Sequence, residues 1–235
     1  GMELTPELFE SVDINLSAAK RRAATLTTRR SVKKHWQAAW LVKAIQMIDL
    51  TTLAGDDTPG RVKRLCAKAR NPLRHDLMDA LGLPAGSITT GAICVYPTMV
   101  ATAAQALEGT GIPVASVATG FPAGLTPLPQ RLAEVQYAAD QGADEIDMVV
   151  TRAYVLNGEW QALYDEVRAV RQACGEAHLK VILATGDLKT LTNVYRASMV
   201  SMMAGADFIK TSTGMEAVNA TLPVSLIMVR AVRDY

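Results

Sequence analysis

Aromatic residues, cysteine and histidine are all scarce in this sequence. Of its 235 residues, 5% are aromatic, three are cysteine and three are histidine. Three scattered cysteines are too few for a disulfide framework, and the isolated histidines form no ligand cluster for a metal. We therefore expect a cytoplasmic protein without a metal ion, in which aliphatic side chains and alanine fill the core.

The sequence also lacks a long apolar run and an excess of either charge. No stretch approaches the length that spans a membrane, and the net charge is +1, so we expect neither a membrane nor a nucleic-acid partner. The basic segment KRRAATLTTRRSVKKHW, which starts at Lys20, is the local exception. It could bind a nucleic acid or an acidic partner. We favour the alternative, the solvated face of N-terminal helices, because Trp36 and Trp40 follow at helical spacing and no binding motif accompanies the charges.

From residue 47 onward, short β-rich runs alternate with amphipathic helical patterns. The clearest helix is predicted over 158–174, where apolar residues recur at spacings of three and four. Gly142, Gly175 and Gly205 stand where helices should end. The six predicted strands are MIDLT (47–51), TTGAICVY (89–96), VASVATGF (114–121), EIDMVV (145–150), LKVILAT (179–185) and FIKTST (208–213).

This alternation predicts a parallel sheet with helical crossovers, in one of two architectures. An open doubly wound sheet normally binds a nucleotide through a glycine-rich turn after its first strand. Here that turn, TTLAGDDTPG, lacks the G-x-G-x-x-G pattern, and no P-loop occurs elsewhere. The other architecture is a (β/α)₈ barrel. We expect no nucleotide cofactor, an N-terminal helical extension over residues 1–46 and a barrel domain over residues 47–235.

Side-chain parity along the predicted strands indicates where charged residues meet. Alternate side chains of a strand point to opposite faces, and Asp147 and Lys180 each lie opposite the aliphatic face of their strand. By the same test, Asp49 and Lys210 point to the same interior. Two acids and two lysines would then converge, as in a barrel whose site lies at its strand ends. The alternative is a self-neutralising ion network in the core that serves no chemistry.

Lys210 stands in the segment FIKTSTG (208–214), which reads as a buried strand, between Phe208-Ile209 and a run of small hydroxyl residues. Burying an ammonium group is costly, so such a lysine is either paired with a carboxylate or kept neutral enough to act as a nucleophile. The following hydroxyl residues, Thr211, Ser212 and Thr213, add no charge beside it.

Several of these stretches together resemble the deoxyribose-phosphate aldolases, a family of class I aldolases that form a Schiff base on a lysine. The N-terminal segment RRSVKKHWQAAWLVKAI looks like the longer, eukaryotic-type branch of that family. The matching segments, in order, are IDLTTL (48–53), AICVYP (92–97), ASVATGFPAG (115–124), GADEIDMVV (142–150), HLKVILATGDL (178–188) and GADFIKTSTG (205–214).

The resemblance implies a (β/α)₈ TIM barrel with an N-terminal helical extension. It also implies the reversible cleavage of 2-deoxy-D-ribose 5-phosphate to D-glyceraldehyde 3-phosphate and acetaldehyde. Lys210 matches the lysine of the Schiff base, and Asp147 matches the acid that handles protons together with a water. Asp49 matches a supporting acid of the site. The residues implied to contact the substrate or to complete the charge network are Cys94, Thr211, Gly214 and Lys180.

The same resemblance implies no cofactor and a small phosphosugar or aldehyde as substrate. It suggests a homodimer or a larger homo-oligomer that serves nucleoside catabolism in the cytoplasm.

The sequence departs from the family pattern in two places. It has no stretch resembling G-F-K-P-A-G-G-[IV]-R, which carries the family's second active-site lysine, so it covers about six of the eight β/α units. Met215 stands where many members have a lysine, which predicts weaker phosphate affinity or a preference for unphosphorylated aldehydes.

We expect the chain to be part of a longer protein. The alternatives are a Schiff-base aldolase of different aldehyde specificity and a truncated, catalytically impaired barrel that acts as a binding protein.

Overall fold

The computed structural model describes residues 1–235 and consists of helices alternating with short strands. The strands are β1 (Asp49–Thr51), β2 (Ala92–Val95), β3 (Val114–Ala118), β4 (Glu145–Val149), β5 (His178–Ile182) and β6 (Phe208–Lys210). The helices before β3 are α1 (Leu16–Ala24), α2 (Leu26–Arg29), α3 (Lys34–Ile45), α4 (Pro59–Arg70), α5 (His75–Ala80) and α6 (Val100–Leu107). Those after β3 are α7 (Leu128–Asp140), α8 (Arg152–Asn157), α9 (Trp160–Ala173), α10 (Leu191–Met203) and α11 (Leu222–Asp234).

The six strands form one sheet and follow one another across it in chain order, from β1 to β6. β1 pairs with β2, β2 with β3, and β5 with β6, each time in parallel. Parallel neighbours joined by helices are the pattern of a β/α protein. The structure therefore confirms the predicted α/β class, and its six strands correspond to six of the eight predicted β/α units.

Local sequence explains where several helices begin and end. Thr58, Thr190 and Thr221 cap α4, α10 and α11, because each threonine hydroxyl accepts a hydrogen bond from the backbone N–H three residues later. Gly175 and Gly205 follow α9 and α10 closely and have positive φ angles, as expected for residues that stop a helix.

The chain forms two compact units. The first unit comprises Gly1–Ser31, Ala118–Gln136 and Ile146–Tyr235, and the second comprises Val32–Val117 and Tyr137–Glu145. The predicted boundary between an N-terminal extension and a barrel domain at residue 46 stays a prediction.

In the first unit, the core lies around β4, β5 and the helices that follow them. Every residue of β4 is buried, and so is every residue of β5 after His178. Helix α9 buries the apolar stripe that the sequence predicted, with Leu163, Val167 and Val170 fully buried. In the second unit, β2 and α6 pack against α4.

The prediction of a buried sixth strand is wrong in part. Phe208, at the start of β6, is 52% exposed, and the two residues after it are only partly buried. β6 lies at the edge of the sheet with β5 as its neighbour, so no further strand covers its other side.

The basic segment that begins at Lys20 is almost wholly exposed, as expected of a solvated helical face. Trp36 and Trp40 on α3 are exposed as well. None of the helices combines the length and the apolar composition needed to cross a membrane.

Candidate active site

Three charged residues meet where β4, β5 and β6 run through the first unit. Asp147 lies in the middle of β4, Lys180 in the middle of β5, and Lys210 is the last residue of β6. In the parallel pairing of β5 with β6, Ile182 lies opposite Lys210, which places Lys210 two residues further along the strand direction than Lys180.

The carboxylate of Asp147 has a lysine on each side. Nζ of Lys210 donates a hydrogen bond to Oδ2 of Asp147 over 2.5 Å. Nζ of Lys180 lies 3.6 Å from Oδ1 of the same carboxylate, which is too far for a normal hydrogen bond. Oδ1 is buried and accepts no hydrogen bond. Two ammonium groups therefore share one carboxylate.

The three side chains differ sharply in exposure. The side chain of Asp147 is completely buried and that of Lys180 is 7% exposed, whereas that of Lys210 is 33% exposed. Lys210 is consequently the member of the cluster that a dissolved molecule can reach. A neutral lysine amine is a nucleophile, and the Asp147 carboxylate beside Lys210 is a group that can take up the proton of its ammonium.

The backbone of β5 fixes the position of Lys210. The carbonyl of Lys210 accepts a hydrogen bond from the N–H of Leu183 over 2.9 Å, and the carbonyl of Thr211 accepts one from the N–H of Thr185 over 2.8 Å. The hydroxyls of Thr185 and Ser212 are buried and make no hydrogen bond with the protein. The strand end that carries Lys210 is thus held rigidly and is bordered by hydroxyl groups.

A loop beyond Lys210 binds a carboxylate of the same chain, which the sequence analysis did not anticipate. Oε2 of Glu216 accepts hydrogen bonds from the N–H and the hydroxyl of Thr213, over 3.1 and 2.8 Å, and from the N–H of Gly214 over 3.2 Å. The spacing T-x-x-E from 213 to 216 is that of a capping box and could have predicted these contacts. Gly214, predicted to contact substrate, donates its N–H to Glu216 here.

The first unit also contains a second buried ion pair that the sequence analysis missed. Arg131 on α7 donates to Oε1 of Glu166 on α9 over 2.7 Å and to the carbonyl of Val149 over 3.0 Å. Oε2 of Glu166 accepts from the N–H of Thr151 over 2.9 Å. Both charged side chains are buried. No short sequence pattern joins residues 35 positions apart, so only the fold reveals this pair.

Two predicted site residues belong to the second unit. Asp49 is the first residue of β1 and lies opposite Ala92 of β2. Cys94 is fully buried on β2, in register with Thr51 and Ala115. Their predicted roles beside Lys210 stay predictions.

The metal-ligating side chains and the thiols of Cys66 and Cys174 form no second candidate for an active site. No group of three or more His, Cys, Asp or Glu side chains lies together in a way that could hold a metal ion. Burial raises the pKa of the Cys174 thiol to about 12 and raises the pKa of Cys66 as well, so both stay protonated and poorly nucleophilic near neutral pH. The partly exposed amine of Lys210 lies next to a buried carboxylate, an arrangement that a lysine nucleophile and a proton-transfer group would need.

Comparison with known proteins shows the family to which the chain belongs. The family model of the DeoC/LacD aldolases matches residues 43–235. The deoxyribose-phosphate aldolase of Homo sapiens is 58% identical over 237 aligned residues, which cover all of this chain and 74% of the human protein. That of Mus musculus is 60% identical with the same coverage.

Solved structures lead to the same family. A putative deoxyribose-phosphate aldolase from Coccidioides immitis superposes with a TM-score of 0.72 at 27% identity, covering 95% of this chain and 82% of that one. A tetrameric deoxyribose phosphate aldolase from Aeropyrum pernix superposes with a TM-score of 0.66 at 25% identity, covering 82% of this chain and 74% of that one.

Proposed function

Because this chain belongs to the DeoC/LacD family of aldolases, we propose that it reversibly cleaves 2-deoxy-D-ribose 5-phosphate to D-glyceraldehyde 3-phosphate and acetaldehyde. The observation that carries this proposal is the contact between the partly exposed amine of Lys210 and the buried carboxylate of Asp147. A Schiff-base aldolase needs a reachable amine and a neighbouring group that moves protons, and these two residues supply both.

Lys210 forms the covalent intermediate. Its neutral amine adds to C1 of the open-chain sugar to give a carbinolamine, which loses water to become an iminium ion. The iminium draws electrons from the C2–C3 bond when the C3 hydroxyl gives up its proton, and that bond breaks. D-Glyceraldehyde 3-phosphate leaves, and the enamine that remains on Lys210 takes up a proton at C2 and is hydrolysed to acetaldehyde.

Asp147 handles the protons of these steps. Its Oδ2 lies 2.5 Å from Nζ of Lys210, so it can accept the proton that the amine must lose before it attacks. Protonated Asp147 then returns a proton to the carbinolamine hydroxyl, which leaves as water. In its ionised form, Asp147 accepts the proton of the C3 hydroxyl, with a water between the two groups.

Lys180 and Asp49 are assigned supporting roles. The ammonium of Lys180 keeps a positive charge beside Asp147 while Lys210 is neutral, so that the buried carboxylate is never left uncompensated. The roles of Asp49 as a supporting acid and of Cys94, Thr211 and Gly214 in substrate binding are those that the resemblance to the family implies.

The proposal extends to assembly and location. The Aeropyrum pernix relative is described as a tetramer, which favours a homo-oligomer here, with a homodimer as its smallest form. A role in cytoplasmic nucleoside catabolism follows from the proposed substrate.

The direct test is product analysis with the purified protein. We expect incubation with 2-deoxy-D-ribose 5-phosphate to release acetaldehyde and D-glyceraldehyde 3-phosphate in equal amounts, each measured by its own coupled dehydrogenase assay. Lys63→Met, which changes an exposed lysine on α4, is the control and should behave like the unaltered protein. A folded protein that releases neither product would refute the proposed activity.

A further inference from the structure

The loop that follows Lys210 contains a small site for an anion. The N–H groups of Thr213 and Gly214 and the hydroxyl of Thr213 all donate to the carboxylate of Glu216. The positive φ of Gly214, +89°, is a backbone conformation that glycine adopts without strain. Successive N–H groups that converge in this way form a concave site for a negatively charged group.

The same contacts orient the hydroxyl of Thr213. Its oxygen accepts the N–H of Met215 over 3.0 Å, so the hydroxyl proton is free to point at Glu216, whose Oε2 lies 2.8 Å away. The side chain of Asn219 donates to the backbone carbonyl of Glu216 over 3.1 Å and holds it from the other side. The site is therefore well formed, and the chain's own carboxylate fills it.

No cation offsets the charge of this carboxylate. Glu216 forms no ion pair, and only N–H and O–H dipoles from Thr213 and Gly214 neutralise it. Met215, between these residues and Glu216, is exposed and carries no charge. A second anion brought to the loop would meet Glu216 without a compensating positive charge.

The substrate brings such an anion. Thr213 lies three residues beyond Lys210, a backbone reach of at most about 11 Å, which is comparable to the length of a five-carbon phosphosugar. With C1 of the sugar bound to Lys210, the phosphate on C5 can reach the loop. A phosphate carries up to two negative charges near neutral pH and seeks the same N–H donors that hold Glu216.

We propose that Glu216 is a specificity-determining residue, because its carboxylate occupies the anion site of Thr213 and Gly214 and a substrate phosphate has to displace it. This inference rests on the proposed aldolase function and adds to it. Glu216 lowers the advantage of phosphorylated over unphosphorylated substrates, and the unphosphorylated sugar binds without disturbing the loop.

The test compares two sugars in three proteins. For the unaltered chain, Glu216→Gln and Glu176→Gln, kcat/KM is measured with 2-deoxy-D-ribose 5-phosphate and with 2-deoxy-D-ribose. Glutamine keeps the shape of Glu216 and can still accept a hydrogen bond. Glu176 is an exposed glutamate just before β5, at the other end of the strands from Glu216, so its replacement matches the change in net charge.

We expect Glu216→Gln to raise the ratio of the two kcat/KM values, phosphorylated over unphosphorylated, by about tenfold, mainly through a lower KM for the phosphosugar. Glu176→Gln should leave the ratio unchanged. An unchanged or lower ratio in Glu216→Gln would overturn the proposal, and equal losses with both sugars would mean that Glu216 only braces the loop.

A second measurement separates this inference from the proposed function. The dissociation constant of inorganic phosphate, measured by calorimetry, should be about tenfold lower in Glu216→Gln than in the other two proteins. If no protein cleaves either sugar, the aldolase function fails while the phosphate affinities still decide the role of Glu216. Equal phosphate affinities in all three proteins would contradict the competition even if the aldolase activity stands.

Discussion

Two buried carboxylates in the first unit, those of Glu166 and Asp147, are surrounded by cations in opposite ways. Glu166 faces one arginine, and both of its oxygens accept hydrogen bonds, from Arg131 and from Thr151. Asp147 faces two lysines, but only one of its oxygens accepts a hydrogen bond. The Arg131–Glu166 pair is buried throughout, whereas a third of the Lys210 side chain is exposed.

The difference separates an ion pair suited to supporting the fold from the cluster to which we assign the proposed chemistry. A buried pair of one cation and one carboxylate, in which both carboxylate oxygens accept hydrogen bonds, fixes the elements that carry it. The Arg131–Glu166 pair joins α7 and α9 to the end of β4, close in sequence to Asp147. The Asp147 cluster instead has a carboxylate oxygen without a hydrogen bond and one accessible amine, the features that the proposed chemistry requires.

The largest expected effect is on catalysis, from Lys210→Met. This variant removes the only amine that a substrate can reach in the Asp147 cluster, so we expect kcat to fall by ~10⁴-fold or more. Steady-state assays with 2-deoxy-D-ribose 5-phosphate measure the loss, with Lys63→Met as the control. Residual activity above about one percent of that of the unaltered protein would assign the chemistry to another residue.

The matching change in the other cluster is Arg131→Met. It leaves the carboxylate of Glu166 buried without its cation, which should cost about 3–5 kcal/mol in the free energy of unfolding, as measured by urea denaturation. The folded fraction should still form an adduct with acetaldehyde at Lys210. Arg30→Met, at an exposed position, should change stability by less than about 0.5 kcal/mol. A similarly small change in Arg131→Met would mean that the buried pair does not hold the fold.

Asp147→Asn tests whether the central carboxylate moves protons. The amide keeps the shape of the side chain but cannot accept the proton of Lys210, so we expect kcat to fall by about 10²- to 10⁴-fold. The control, Asp165→Asn, changes an exposed residue on α9 and should keep full activity. If Asp147→Asn retained most of its kcat, proton transfer would have to be assigned elsewhere.

A smaller effect is expected from Lys180→Met. Loss of this cation leaves Asp147 with Lys210 alone, which strengthens the hold of the carboxylate on the Lys210 ammonium. We expect kcat to fall by about 10- to 100-fold in steady-state assays with 2-deoxy-D-ribose 5-phosphate. An unchanged kcat would show that Lys180 only fills space beside Asp147.

The sequence predicted the lysine–aspartate cluster because a strand has a period of two residues. Once Asp147, Lys180 and Lys210 are assigned to strands, their side of the sheet follows from their neighbours. Six strands could be located for a similar reason, since apolar runs between turn residues recur along the chain. The ends of the strands differ from the prediction: the sixth run was predicted over 208–213, and β6 ends at Lys210.

Other features depend on contacts that no local pattern encodes. Arg131 and Glu166 meet only because α7 and α9 pack at the end of β4. The residue pattern of neither helix predicts that a charged side chain is buried there. Phe208 is exposed because β6 lies at the edge of the sheet, and the residues of β6 alone do not reveal that position. Glu216 had a local signal in its T-x-x-E spacing, but that pattern normally marks the start of a helix, and none begins there.

The most direct test of the central claim is to trap the Schiff base. The protein is treated with acetaldehyde and borohydride, and the modified lysine is located by peptide mapping and mass spectrometry. We predict one ethyl group on Lys210 in the unaltered protein and in Arg131→Met, and none in Lys210→Met. A folded protein that stays unmodified at Lys210, or that carries the label on Lys180 instead, would contradict the assignment of Lys210 as the reactive amine.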